Sequence, residues 1–528
     1  MASLSCRRLG RLHDFARRVT KPRSFLPPPS AAAAAAGRCY TSAAQGAFPS
    51  LVVTASSITA KGPFAETQAT YMNPDDSTVN QLDELLEKGN MGVVAHFYMD
   101  AELQGTLSAL QWPHVCVADS LAMGDAAVSM AKGGATSIAC LGVDFMAESV
   151  RATLDGAGFP DVPVYRLSEG SIGCSLAEAA ERLEYAAWLT KAAQTPNSLH
   201  VVYINTSLVT KARSQSVLPT ITCTSSNVLR TVLQAFAEVP GLSVWYGPDT
   251  YMGRNLHSMF EKIAQMPDDE IRALHPEHNR ETLQNVLSHF HYFKQGSCIV
   301  HHMFGDDVVH RVRESYADAY HTAHLEVPGE MFELAMEAQS KGRGVVGSTS
   351  NILNFITEKA SAAAKSGGDE GAGVLQFVLG TEAGMTTSIV KKVQKCLKEE
   401  GAGEGTAVEI VFPVASEALT ATGDDALRAV PGVSGGEGCS TAGGCATCPF
   451  MKMNDLDSLV SIAEAVQSGE TASLARYLPQ RRAFLSSSGE DQTALGVVPI
   501  MSMRHLMQSG ELGEELRGDI RKRHAAAS

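Results

Sequence analysis

The feature that most constrains this chain is an internal triplication. Three segments repeat the same order of parts. Each opens with a short apolar run ending in polar groups: Val93-Val94-Ala95-His96-Phe97-Tyr98, Val201-Val202-Tyr203-Ile204-Asn205 and Ala323-His324-Leu325-Glu326. A second run ends in a hydroxyl-rich turn: Val117-Ala118-Asp119-Ser120, Thr224-Ser225-Ser226-Asn227 and Gly347-Ser348-Thr349-Ser350-Asn351. A third ends in glycine, any residue, acid: Gly142-Val143-Asp144, Gly247-Pro248-Asp249 and Gly380-Thr381-Glu382. Short apolar runs alternating with longer amphipathic stretches argue for parallel sheets covered by helices on both faces. Ligands of such sheets sit outside the carboxyl ends of the strands, where all these polar groups fall. Ser, Thr and Asp there are natural helix caps. Helix N-termini also bind phosphates and carboxylates through their free N–H groups. Three homologous turns, each beside a His, Tyr, Asn or Glu, predict a small, multiply anionic ligand held between three similar domains.

Each repeat also ends in a distant cysteine, Cys174, Cys298 and Cys448. Their separation matches no local metal motif, so spacing alone proves nothing. One thiolate per repeat, meeting on a pseudo-threefold axis, is nonetheless chemically sensible. Three cysteines on a four-iron cluster leave one iron free. Eleven cysteines in 528 residues are too sparse for a disulfide framework. Cys116, Cys140, Cys223 and Cys396 read as small packed hydrophobes.

A chain of 528 residues exceeds one hydrophobic core, and its 44% hydrophobic content can fill several. The expected division is a transit peptide over 1–48, an N-terminal extension over 49–75, α/β domains over 76–190, 191–312 and 313–470, and a C-terminal extension over 471–528. A Gly/Ala-rich loop near 400–440 interrupts the third domain. A formal charge of −14 without a long basic stripe excludes nucleic acid as the expected partner. No long uninterrupted apolar run predicts a membrane span. The first forty residues differ: Arg7, Arg8, Arg11, Arg17, Arg18, Arg23 and Arg38 accompany a single acid, Asp14, without an apolar signal core. That composition reads as an organellar leader with nothing to pack before about residue 50.

The stretches AHFYMD, ADSLAMGDAA, LGVDFMAES, GCSLAEAA, YINTSLVTKA, TCTSSN, GPDTYMGRN, SCIVH, HLEVPGEMFELA, GSTSNI, GTEAGM and CPFMKMN resemble, in order, the motifs of the quinolinate synthase A family, of the eukaryotic organellar type. The resemblance implies three α/β/α sandwich domains with parallel sheets around a pseudo-threefold axis. It implies condensation of iminoaspartate with dihydroxyacetone phosphate to quinolinate, with loss of phosphate and two waters, in NAD biosynthesis. It further implies a [4Fe–4S] cluster on Cys174, Cys298 and Cys448 with one open iron acting as a Lewis acid. Tyr98, Glu326 and His324 are the implied catalytic residues. His96, Ser120, Tyr203, Asn205, Ser225, His301, Ser348 and Thr349 are the implied substrate ligands. Implied partners are an iminoaspartate-supplying enzyme and iron–sulfur assembly machinery. Departures are small: Ala118 and Val327 stand where the family often has Gly and Cys, and Ala442 replaces the first Cys of a bacterial Cys-x-x-Cys-x-x-Cys run. Plant members often add a sulfur-transfer domain, which is not expected within these 528 residues. Plant relatives are plastid enzymes, yet Arg38-Cys39-Tyr40 resembles a mitochondrial processing site. The expected location is therefore the mitochondrial matrix, with the plastid stroma as the alternative.

Three rivals use the same residues. A GDSL-type hydrolase would combine Ser120 with Asp307 and His310. A structural zinc site would use Cys439, Cys445 and Cys448. A non-catalytic iron–sulfur scaffold would not need His96, Tyr98 and Glu326 at strand ends. Cys439 and Cys445 are also candidates for an oxidative disulfide that shifts the Cys448 loop.

Overall fold

The computed structural model describes residues 47–365, 374–402, 406–413, 447–480, 482–486 and 488–527. Two strands open the described chain, β1 (Ser50–Val53) and β2 (Ile58–Lys61). The first repeat then supplies β3 (Met91–His96), β4 (Val115–Ala118), β5 (Ser137–Leu141) and β6 (Val164–Arg166). The second supplies β7 (Ser198–Tyr203), β8 (Thr220–Cys223), β9 (Ser243–Gly247) and β10 (Phe290–Tyr292). The third supplies β11 (Tyr320–His324), β12 (Gly344–Gly347), β13 (Leu375–Gly380) and β14 (Val408–Val411).

The three sheets share one topology. Their orders are β4-β3-β5-β6, β8-β7-β9-β10 and β12-β11-β13-β14, so each second strand crosses to the far side of the first. Within each set of four, every pairing is parallel. β3 and β7 are buried along their whole length, as strands covered on both faces must be. The chain is thus an α/β protein of three similar sandwich units, as the triplication predicts.

The nine apolar runs read from the sequence are the first three strands of each sheet, and their polar tails are the strand-to-helix turns. Asp119 caps the helix Ser120–Lys132 by accepting the N–H groups of Leu121 and Ala122 at 3.1 and 3.0 Å. Asp249 does the same for Thr250–Ile263 through Met252 at 2.8 Å. Each such cap is worth about 1 kcal/mol. The fourth strands escaped the sequence reading. Each cysteine of interest follows one of them in sequence: Cys174 after Arg166, Cys298 after Tyr292 and Cys448 after Val411.

The chain ends are distributed differently from the expected division. β1 pairs antiparallel with β14 and with β2, so the extension over 49–75 widens the third sheet to six strands. Conversely, Leu459, Ile462 and Ala463 of the helix Leu456–Ser468 bury themselves in the core of the first unit. Met503 and Leu506, from the C-terminal extension, join the core that contains the second sheet. Short strands and helices carry few residues of periodic pattern, so sequence alone does not say which core they join. No helix among the described residues is long and apolar enough to cross a membrane.

Candidate active site

The carboxyl ends of the three sheets surround one cavity. Twelve sequence-derived candidates line it: His96, Tyr98, Ser120, Cys174, Tyr203, Asn205, Ser225, Cys298, His324, Glu326, Thr349 and Cys448. Each sheet contributes from its first-strand end, its second-strand turn and its fourth-strand loop.

His96 and His324 hold their turns in the same way. The ring Nδ1 of each accepts the backbone N–H two residues on, at 3.2 Å from Tyr98 and 3.3 Å from Glu326. Burial pushes His96 down to about 4, against the pull of Asp119 and Glu326. Burial likewise pushes His324 down to about 3, with Glu326 opposing and His301 and His96 assisting. Both rings are therefore neutral at pH 7, with Nδ1 occupied as an acceptor and Nε2 left as a donor.

Glu326 sits among three partners, Tyr203, His301 and His324. Burial raises its pKa, but His301, His324 and the Tyr203 hydroxyl outweigh burial and hold it below the usual carboxylate range. Tyr203 donates its hydroxyl to Glu326 Oε1. His301 Nδ1 lies 3.2 Å from Glu326 Oε2 as a close contact, off the line of a hydrogen bond. Tyr98 behaves oppositely: burial, then Glu326 and Glu382, push its phenol well above 10, and its hydroxyl lies 3.4 Å from Thr381 Oγ1.

Two candidates stand outside the cavity wall. His301 is fully buried behind Glu326 and stacks on His324 with ring centroids 5.0 Å apart. Ser348 is buried in its own turn, its hydroxyl donating to Asn351 Oδ1 at 2.7 Å. The sequence reading assigned both to substrate. Other lining residues were missed, among them Asp119, Thr224, Glu382 and Met451. The acid of Gly380-Thr381-Glu382 was visible as a turn, but nothing in the run says that the turn faces inward. Burial pushes the Glu382 carboxyl well above its ordinary value, with the Cys448 N–H that it accepts opposing and Glu326 assisting.

Cys174, Cys298 and Cys448 are free thiols facing the same cavity. Burial pushes Cys174 up to about 11. Burial also raises Cys298 and Cys448 well above the usual thiol range, and both feel Cys174 as a neighbouring charge. Three converging, half-buried thiols that repel one another as thiolates are a donor set suited to an iron–sulfur cluster, whose positive irons stabilise all three anions. Cys298, His301 and Glu326 also bring ligand atoms within 4.8 Å of one another, a second set able to hold a single ion.

The hydrolase constellation is not assembled. His310 is exposed on the helix Asp306–Ser315 beside Glu314, and lines a different cleft from Ser120. Cys439 and Cys445 lie outside the described residues, and with them both the zinc and the disulfide readings. Cys140 and Cys223 are buried in cores, while Cys116 and Cys396 are half-buried.

The family profile described as quinolinate synthetase A protein matches residues 80–474. The chain is 52% identical over 491 residues to a Nicotiana tabacum protein named quinolinate synthase, chloroplastic, covering 91% of this chain and 68% of the relative. An Arabidopsis thaliana protein of the same name is 51% identical over 89% of this chain and 66% of its own length. One from Oryza sativa subsp. japonica is 48% identical, covering 89% and 68%. The chain spans about two thirds of the length of these relatives. Their shared chloroplastic designation overturns the expectation of a mitochondrial matrix protein. Arg-rich, acid-poor composition is common to both classes of presequence, so residues 1–48 carried no power to choose.

Proposed function

We infer that this chain, which belongs to the quinolinate synthetase A family, is a plastid quinolinate synthase of NAD biosynthesis that joins iminoaspartate to dihydroxyacetone phosphate. The observation that carries this reading is the convergence of three thiols, two neutral imidazoles, a phenol and a carboxylate on one cavity. A non-catalytic scaffold would need only the thiols. Cys174, Cys298 and Cys448 would hold a [4Fe–4S] cluster, which when bound would supply Lewis acidity.

The remaining chemistry falls to side chains. Both substrates are multiply anionic, and Ser120 and Thr349 sit at the first positions of the helices Ser120–Lys132 and Thr349–Lys365. The Thr349–Lys365 N-terminus offers N–H groups and a favourable dipole to carboxylate or phosphate, whereas at Ser120–Lys132 Asp119 already takes the Leu121 and Ala122 N–H groups and the Ser120 hydroxyl is the donor left. Asn205, Ser225 and the Nε2 groups of His96 and His324 add neutral donors. Forming the pyridine ring requires tautomerisation and loss of two waters, hence proton transfer in both directions. Glu326, held as a carboxylate, accepts protons; Tyr98, held as a phenol, donates them. The Tyr203 hydroxyl fixes the Glu326 carboxylate, and His301 backs it from behind.

The test is anaerobic purification followed by iron and sulfide analysis and a quinolinate assay. About four irons and four sulfides per chain, with turnover, are expected. A single ion without sulfide would move the metal to Cys298, His301 and Glu326. Cys174→Ser, Cys298→Ser or Cys448→Ser should each abolish both cluster and turnover. An active enzyme without iron ends the proposal. For location, residues 1–60 fused to a fluorescent protein should reach plastids, and cytosolic fluorescence with Met1 retained would refute import.

A further inference from the structure

We propose that the three cysteine loops are pre-aligned by tethers from the glycine-x-acid turns, and that Ser175 and Asn454, which stand off the cavity wall, are the positioning residues which lock them to one another. The proposal rests on reading Cys174, Cys298 and Cys448 as cluster ligands.

The tethers repeat with the triplication. In the first unit the N–H of Asp144 donates to the carbonyl of Ile172, two residues before Cys174, at 3.1 Å. In the second, the N–H of Thr250 donates to the carbonyl of Gly296, two residues before Cys298, at 2.8 Å. Gly296 returns its own N–H to Thr250 Oγ1 at 3.0 Å. A Cβ on Gly296 would lie 2.3 Å from the Pro248 carbonyl oxygen, so this close approach requires glycine. In the third, Glu382 accepts the N–H of Cys448 itself at 2.6 Å. Each glycine-x-acid turn thus grips the cysteine loop of its own unit. This gives all three turns a common purpose that helix capping does not explain.

Two further side chains connect the units. Ser175 follows Cys174, and its hydroxyl donates to the Ser297 carbonyl at 3.0 Å while accepting the Ile299 N–H at 3.4 Å. It therefore clasps Cys298 on both sides from the loop of a different ligand. Asn454 is fully buried beyond Cys448. Its Oδ1 accepts the Gly142 N–H at 3.2 Å, and its Nδ2 donates to the carbonyls of Gly142 and Met451 at 3.3 and 2.9 Å. It ties the Cys448 loop to the first unit's glycine-x-acid turn. Neither residue lines the cavity. Both act through the cysteines, as the outer partners of metal ligands do.

The experiment uses the full chain, loaded with iron and sulfide anaerobically and then exposed to an iron chelator. Ser175→Ala should shorten cluster lifetime about 10–100-fold, the range typical of lost outer partners. Ser175→Thr keeps the hydroxyl and should restore it. The melting temperature of both metal-free variants should match that of the parent metal-free chain. Asn454→Ala should also shorten cluster lifetime, and Ser175→Ala remains decisive if that buried change impairs folding. A parent chain that holds no cluster overturns the proposed function and this inference together. A parent that holds one, with Ser175→Ala holding it equally long, overturns the positioning role alone.

Discussion

His96-Phe97-Tyr98 and His324-Leu325-Glu326 are the same piece of backbone used twice. Each leaves the first strand of its sheet, and each histidine Nδ1 accepts the N–H two residues on. The third copy, Tyr203-Ile204-Asn205, keeps the position but replaces the histidine with a tyrosine whose hydroxyl reaches Glu326. The local fold is nearly constant, so the chemistry differs only through the last side chain and its neighbours. Glu326 sits among His301, His324 and Tyr203 and is held as an anion, whereas Tyr98 sits near two acids and is held protonated. Duplication supplied a geometry; substitution at one position per copy separated base from acid.

Glu326→Gln should break this comparison most strongly. Turnover is expected to fall about 10²–10⁴-fold with iron content unchanged, as for loss of a general base. A loss under about threefold would leave Glu326 a structural role only. Tyr98→Phe comes next, with an expected loss of about 10²-fold in kcat, the lower end for a proton donor. Should it exceed the Glu326→Gln loss, the two roles need reassigning. His96→Asn and His324→Asn each remove one ring donor. Each should raise KM about tenfold, equivalent to one hydrogen bond to a charged group. Because burial sets them at about 4 and about 3, their nitrogen NMR signals should remain those of neutral imidazole at about pH 6. Signals of imidazolium there would reverse the donor assignment. The smallest effects belong outside the cavity: His310→Ala and Cys140→Ser should leave kcat/KM within about twofold, as uninvolved positions do. Loss of activity in His310→Ala would revive the hydrolase reading.

Much of this was legible in one dimension. Alternation of apolar runs and polar turns is dictated by strand burial and helix capping, both local requirements, so the triplication, the parallel sheets and their shared carboxyl-end site follow from the residues in order. Twelve of the fourteen candidates reach the cavity wall for that reason. The misses have a common cause. Glu382 and Asp249 occupy equivalent turns, yet Glu382 faces the cavity and Asp249 is buried as a cap. Ser348 and Thr349 are adjacent, yet only Thr349 lines the wall. Which way a turn residue points depends on what packs behind it from distant parts of the chain.

The sequence by itself therefore determined the unit, its first three strands, the chemical types at its mouth and the family to which it belongs. Only the tertiary structure decided that β1 and β2 complete the third sheet, that Leu456–Ser468 packs on the first unit, and that Ser175 and Asn454 join loops from different units. Local pattern encodes burial and capping, which each segment satisfies nearly alone. Docking of chain ends and bonds between loops are contacts across long separations, and their free energy exists only once the three cores have brought the partners together.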